Sequence, residues 1–274
     1  MEYSFIDIQG IQLAYIEQNR HAIPAVFFVH GNSGSSNTWR KQFSSALLAD
    51  YRLIAFDLPG SGQSQVSNSA QWDYSPLHTG KIIAGAIRQL SGDAPYCLVG
   101  FSYGSNVVAE GLKSGLTPRA ISLLAPCVIG NGIGLDKVFV SGDYIFFHDE
   151  VKEEEVKNFF LHTLRSKKEE DMLIHTADFF LARPPFRSAL IQAVGEGKIS
   201  DEITLLNDQD IPLQLIFGLE DELLQINYLD SLPVPAWENK IHKLANAGHY
   251  VHNDQPDILN HLLAAYLKER LEHI

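Results

Sequence analysis

Cysteine is almost missing from this chain: Cys97 and Cys127 are the only 2 in 274 residues. Two thiols cannot build a disulfide framework or a four-thiolate metal site. Both stand in apolar runs, YCLVG and LLAPC, which predicts buried, reduced thiols acting as small core hydrophobes. Basic residues are scarce too. The 21 Lys and Arg against 33 Asp and Glu leave a formal net charge of -12. Binding to nucleic acid or to an anionic membrane surface needs positive charge, so this balance argues against both as partners. No run approaches the roughly 18 apolar residues of a membrane span. The N-terminal MEYSFIDIQG carries acid where a signal peptide would carry Lys or Arg. A soluble, cytoplasmic protein is the expectation.

What is present suits a globular enzyme-sized unit. Hydrophobic residues make up 45% and charged residues 20% of the chain, enough for one large α/β domain or a core with a small subdomain. Residues 3–8 and 11–16 alternate apolar and polar about Gly10, as in a half-exposed hairpin. Short, almost wholly apolar runs follow at Ala25–Val29, Leu53–Phe56, Tyr96–Val99 and Ala120–Ala125. Separated by helical patterns at Thr38–Ala49, Leu77–Leu90 and from Ser102 onward, they predict parallel strands buried on both faces.

From 129 to 210 that alternation stops. Helical stretches replace it, at Glu150–Arg165, Lys167–Leu181, Pro184–Val194 and Ser200–Asn207, with many aromatics. Strand patterns resume at Leu213–Phe217 and Lys240–Leu244, and Pro256–Leu271 closes the chain as an amphipathic helix. The organisation expected is a core of residues 1–128 and 211–274 with a helical insertion at 129–210. Most of the insertion's aromatics are expected to pack it onto the core, and a few to line a pocket beneath it.

The strongest chemical signal is Gly100-Phe101-Ser102-Tyr103-Gly104, directly after an apolar run and ahead of a helix. That context gives G-x-S-x-G its meaning: a tight turn lifts Ser102 above the sheet edge, and side chains at 100 and 104 would collide with the neighbouring strand and helix. A serine hydroxyl needs a base. Among 11 histidines, His249 stands in NAGH, after the last strand and before the final helix. Loops leaving the carboxyl ends of parallel strands share one edge, so Ser102 and His249 should meet there. His252 is read as a polar loop residue. A metal site made from His249, His252 and Asp254 is disfavoured because further ligands have no obvious source.

The base in turn needs a carboxylate to fix its tautomer. Asp221, three past the strand-terminal Gly218, is the choice; Glu220 and Glu222 are read as solvated charges. Ser, Asp, His is then the chain order. The loop His30-Gly31-Asn32-Ser33-Gly34-Ser35 reaches the same edge. Its Asn32 N–H, together with the Tyr103 N–H, should form an oxyanion hole, each donor worth roughly 3–4 kcal/mol. No Gly-x-x-x-x-Gly-Lys is present to make this loop a phosphate cradle, and His30 is read as structural. The stretch DLPGSGQS after the second core strand has the composition of tight turns and carries no chemistry of its own.

Taken together, HGNSGSSNTW, DLPGSGQS, GFSYG, GLED and NAGHYVHNDQPD resemble, in order, the motifs of the α/β-hydrolase superfamily over nearly the full length. The resemblance implies a mostly parallel eight-stranded sheet with helices on both faces, and a helical cap where the insertion falls. HGNS, DLPG and NAGH are most similar to the serine-triad N-acylhomoserine lactonases, which are cofactor-independent. Asp221 occupies the acid position where Glu is usual in that group, and Tyr103 stands where a different bulky apolar residue is expected.

These readings imply a cofactor-independent serine hydrolase cleaving a carboxylic ester or lactone, an N-acylhomoserine lactone being the first compound to try, with no metal. The partner expected is this small, largely apolar acyl substrate. Two other classes compete: a slow-turnover ligand receptor on the same fold, and another triad reaction such as C–C hydrolysis, acyl transfer or perhydrolysis. Dehalogenases and epoxide hydrolases of this fold use an Asp nucleophile, which Ser102 argues against.

Overall fold

A computed structural model of the chain describes residues 2–65, 73–140, 142, 144–232 and 234–271. It opens with a hairpin of β1 (Tyr3–Ile8) and β2 (Ile11–Gln18), turning at Gln9 and Gly10, both with positive φ. Then come β3 (Ala25–Val29), a short α1 (Arg40–Phe43), β4 (Arg52–Phe56), α2 (Pro76–Ser91), β5 (Tyr96–Phe101), α3 (Tyr103–Lys113) and β6 (Ala120–Leu124). Helices α4 (Leu135–Val138), α5 (Glu153–Thr163), α6 (Glu169–Leu181), α7 (Phe186–Gly195) and α8 (Glu202–Asn207) separate β6 from β7 (Gln214–Gly218). The chain ends with β8 (His242–Leu244), α9 (Val251–Asp254) and α10 (Pro256–Leu271).

The strands form one eight-stranded sheet in the order β1-β2-β4-β3-β5-β6-β7-β8. β1 and β2 pair antiparallel, as do β2 and β4, and every other pairing is parallel. Every residue of β3, β5, β6 and β7 is buried, which explains why these strands read as continuous apolar runs. Adjacent residues of β3 show the two covered faces. Phe27 stacks on Phe56 with ring centroids 5.9 Å apart, while Phe28 packs on Trp39 at 5.1 Å and Phe43 at 5.7 Å. Burying each such side chain contributes roughly 1.5–3 kcal/mol. Among the described residues no helix is long and apolar enough to cross a membrane.

Several boundaries differ from the sequence reading for local reasons. The helix expected at Thr38–Ala49 breaks into a 3₁₀ turn (Ser36–Trp39), α1 and a second turn (Ala46–Leu48). Ser44 Oγ donates back to the Arg40 carbonyl at 2.9 Å, the kind of local bond that competes with helix continuation. β5 runs two residues further than expected because Gly100 and Phe101 still pair with Leu123 and Leu124. β8 starts late because the turn at Trp237–Asn239 holds Glu238 and Asn239 at positive φ.

Candidate active site

Because β3, β5, β7 and β8 run parallel, the loops that follow them emerge at one sheet edge. Ser102 follows β5 with φ 50° and ψ -121°, a sparsely populated conformation costing on the order of 1–3 kcal/mol. Its N–H donates to the Leu124 carbonyl at 2.9 Å, and its carbonyl accepts from Ser105 N–H at 2.8 Å and Ser105 Oγ at 2.6 Å. A Cβ on Gly100 would lie 2.7 Å from the Gly104 carbonyl oxygen, and one on Gly104 would lie 2.1 Å from the Val29 carbonyl oxygen. Backbone therefore meets backbone on both sides of the serine, as the motif requires.

His249 and Asp221 are brought together. The imidazole Nδ1 lies 2.9 Å from Asp221 Oδ2, with side-chain exposures of 3% and 0%. Asp221 is itself fixed, its Oδ1 accepting from the N–H groups of Leu223 at 2.8 Å and Leu224 at 3.1 Å. With Nδ1–H donating to the carboxylate, Nε2 carries the free lone pair, the atom a base would use. The acid and histidine loops interlock: Glu220 N–H donates to the Ala247 carbonyl at 3.0 Å, and a Cβ on Gly218 would lie 2.1 Å from the Gly248 oxygen. Gly248 is needed for close approach, its missing Cβ lying 2.7 Å from the Thr163 carbonyl.

Ser102 and His249 line one cavity of about 750 Å³, with Asn32 and Tyr103 also in its wall. Among the described hydrogen bonds the relay is made between Asp221 and His249, whereas Ser102 and His249 share the wall without one. Catalytic hydrogen bonds often tighten only when substrate is bound. A Cβ on Gly31 would sit 3.1 Å from Ser102 Cβ, so the Asn32 loop passes directly against the serine. The rest of the wall is largely apolar, with Phe101, Phe139, Phe146, Phe147, Phe159 and Phe179 prominent. Among the described residues, no Asp, Glu, Lys or Arg lines it.

Asn106 and Cys127 add a polar corner that the sequence reading missed. The Cys127 thiol donates to Asn106 Oδ1 at 3.0 Å, and Asn106 Nδ2 donates to the Cys127 carbonyl at 3.1 Å and to Glu202 at 2.6 Å. Burial pushes the Cys127 thiol up to about 12, leaving it unreactive near neutral pH.

His252 requires a correction. It is fully buried, with its ring against Trp39 at 4.8 Å and Phe101 at 4.5 Å and its Nε2 bonded to Thr38 Oγ1 at 2.7 Å. The single helical turn of α9 rotates it inward, where burial holds it well below the usual histidine range. Asp254 accepts from the backbone N–H groups of Arg165, Ser166 and Gly248. Both groups are thus committed to structure. Among the described residues no cluster of three His, Cys, Asp or Glu is placed to hold a metal ion. Glu220 and Glu222 are half-exposed as expected, yet both reach Arg165, at 3.3 and 2.8 Å. His30 is buried, Nδ1 donating to the Gly31 carbonyl at 2.7 Å and Nε2 accepting from Leu58 N–H at 2.9 Å.

The sheet order, the serine turn and the loop placement correspond to one known architecture, and residues 24–112 match the family model described as the alpha/beta hydrolase fold. The solved structure of the N-acyl homoserine lactonase AidH complexed with N-butanoyl homoserine superposes with a TM-score of 0.86, covering 99% of this chain and 98% of that one at 20% identity. The protein has the α/β-hydrolase fold. Over 100 residues this α/β-hydrolase-fold protein is 39% identical to an epoxide hydrolase of Caballeronia sordidicola, a match spanning 36% of the chain and only 29% of that relative. Over 267 residues it is 25% identical to the 2-succinyl-6-hydroxy-2,4-cyclohexadiene-1-carboxylate synthase of Yersinia pestis (strain Pestoides F), covering 92% of the chain and 90% of the relative.

Proposed function

We propose that the protein is a cofactor-independent serine hydrolase that cleaves an uncharged carboxylic ester or lactone through an acyl-enzyme. The observation that carries this reading is the buried Asp221–His249 pair opening onto the cavity where strained Ser102 is presented. His249 Nε2 takes the Ser102 proton as Oγ attacks the carbonyl carbon, and the backbone N–H groups of Asn32 and Tyr103 hold the oxyanion. His249 then protonates the leaving alkoxide and activates the water that releases the acid. Residues 129–210 serve as a cap over a core made of residues 1–128 and 211–274.

The wall chemistry favours an apolar acyl group. A substrate bearing carboxylates, such as the compound named for the synthase relative, would find no cation among the described wall residues to pair with. Ring opening of an N-acylhomoserine lactone, the ligand class of the lactonase neighbour, is the first activity to test. Ser102→Ala should lower turnover of a p-nitrophenyl ester by at least about 10³-fold while leaving the fold intact. Equal turnover by the variant would end this assignment.

A further inference from the structure

The loop carrying Asn32 is gripped by the helical insertion through a directed chain of hydrogen bonds. Arg187 of α7 reaches Ser33 Oγ through Nη1 at 3.3 Å, the longest of three contacts that share that nitrogen's two protons. Ser33 Oγ spends its one proton on Asn32 Oδ1 at 2.8 Å, and Asn32 Nδ2 donates to the Phe146 carbonyl at 3.0 Å. Both ends of the chain, Arg187 and Phe146, belong to the insertion; the two middle groups belong to the loop. A hydroxyl facing Oδ1 and a carbonyl facing Nδ2 leave the Asn32 amide one consistent orientation.

Arg187 is set up to act as a fixed anchor. It is 2% exposed, and its other acceptors are carbonyl oxygens of His148, Asp149, Phe179 and Ala182 at 2.5–3.1 Å. The Asp149 carboxylate accepts from Ser188, and among the described hydrogen bonds the guanidinium donates to carbonyl and hydroxyl oxygens, with the Asp149 charge nearby. Ser33 is held at φ 55°, the left-handed region, where a tether outside the loop helps decide the backbone conformation. The Phe146 ring lines the cavity, so the same insertion residue that tethers Asn32 also meets whatever occupies the site.

We propose that the cap assembles the oxyanion hole: Arg187, acting through Ser33, and the Phe146 carbonyl, acting on the Asn32 amide, aim the Asn32 N–H at the developing oxyanion. Arg187 and Ser33 are then positioning residues for the hydrolysis. This rests on the reading of Ser102 as nucleophile.

The test uses the full-length protein and Arg187→Lys, Ser33→Ala and Asn32→Ala, the last keeping the backbone N–H while removing its tether. Each is assayed for kcat and KM on a p-nitrophenyl ester, and for binding of an alkyl boronic acid, which forms a tetrahedral adduct on a serine. Ser33→Ala and Asn32→Ala should lose about 10- to 100-fold in kcat with KM within about twofold. Boronate affinity should fall by the same factor as kcat/KM. Ser33→Ala keeps the question open to test should Arg187→Lys fail to fold. Folded Ser33→Ala and Asn32→Ala with wild-type kcat and boronate affinity would overturn the proposal, as would losses that merely follow a lower folded fraction. Failure of the underlying reading looks different: Ser102→Ala itself would then turn over normally, and the positioning role would fall with it.

Discussion

The turn around Ser102 is held by backbone pressed against backbone, with Gly104 fitted against the Val29 carbonyl and Gly100 against the first turn of α3. The loop that starts at Asn32, a few ångströms away, is held by side chains from another part of the chain. Phe146 and Arg187 hold residues 32 and 33, Asp178 meets Asn37 at 3.3 Å, and Asp171 pairs with Arg40 and with Lys41, the latter at 2.8 Å. One side of the site is thus fixed by sterics, and the other by polar contacts with side chains and carbonyls between residues 146 and 187. Steric fixation is insensitive to pH and salt. Polar fixation is not, and the two aspartates of α6 differ in how.

The largest effect should come from the steric side. Gly104→Ala places a methyl group 2.1 Å from a backbone oxygen that cannot move without dragging β3. A loss of about 4 kcal/mol or more is expected, read as a collapse of the urea midpoint. A folded variant of near-normal stability would erase the contrast drawn here.

Next comes Asp171, buried and bonded to Lys41, Ser166 and Asn253 in addition to Arg40. Burial pushes its carboxyl up, but the Lys41, Ser166 and Asn253 hydrogen bonds and the Lys41 charge outweigh it and hold the group at about 2. Asp171→Ala should cost about 3–5 kcal/mol by stranding two cations. Because the folded value lies below the unfolded one, the stabilisation is present above pH 4 and is lost as pH falls toward 2. The wild type should show that acid slope, and the variant should lack it.

Asp178 lies two helical turns along and is equally buried, with Asn37 as a partner and one oxygen unpaired. Burial raises it to about 6, against the lowering effect of the Asn37 and Ser35 hydrogen bonds. Here the sign reverses: stability declines as pH rises from about 4 to 6, since the unfolded chain gives up its proton first. Asp178→Asn should remove that slope and stabilise the protein at pH 7.5 by on the order of 1–2 kcal/mol. A destabilised variant at that pH would show that the carboxylate is better accommodated than its surroundings suggest.

What could be read from residues alone tracks the same division. Continuous apolar runs in β3, β5, β6 and β7 announced a sheet covered on both faces, and the glycines of GFSYG announced the serine turn, because sterics leave local signatures. Parallel strands deliver their loops to one edge, which brings His249 to the acid loop, and the place three past Gly218 singles out Asp221 from its acidic neighbours. Contacts between distant side chains left no such trace. His252 reads as polar in HNDQPD, and only the packing of Trp39 and Phe101 reveals it as a core ring. Arg187 was overlooked for the same reason: its acceptors are the Ser33 hydroxyl and carbonyls spread over two further segments. One signal was available. Asp171, His175 and Asp178 recur at helical spacing on α6, a polar stripe that faces inward while Leu173 and Phe180 stay exposed, and that pattern marks a docking seam.

The interlocked glycines at 218 and 248 bind the two loops bearing carboxylate and imidazole into a single cassette. Neither loop can shift without the other, and the Thr163 carbonyl packs against the same Gly248. For an engineer, the practical corollary is that Asp221 and His249 must be transplanted as one module, glycines included; grafting either strand-end by itself would jam its mate.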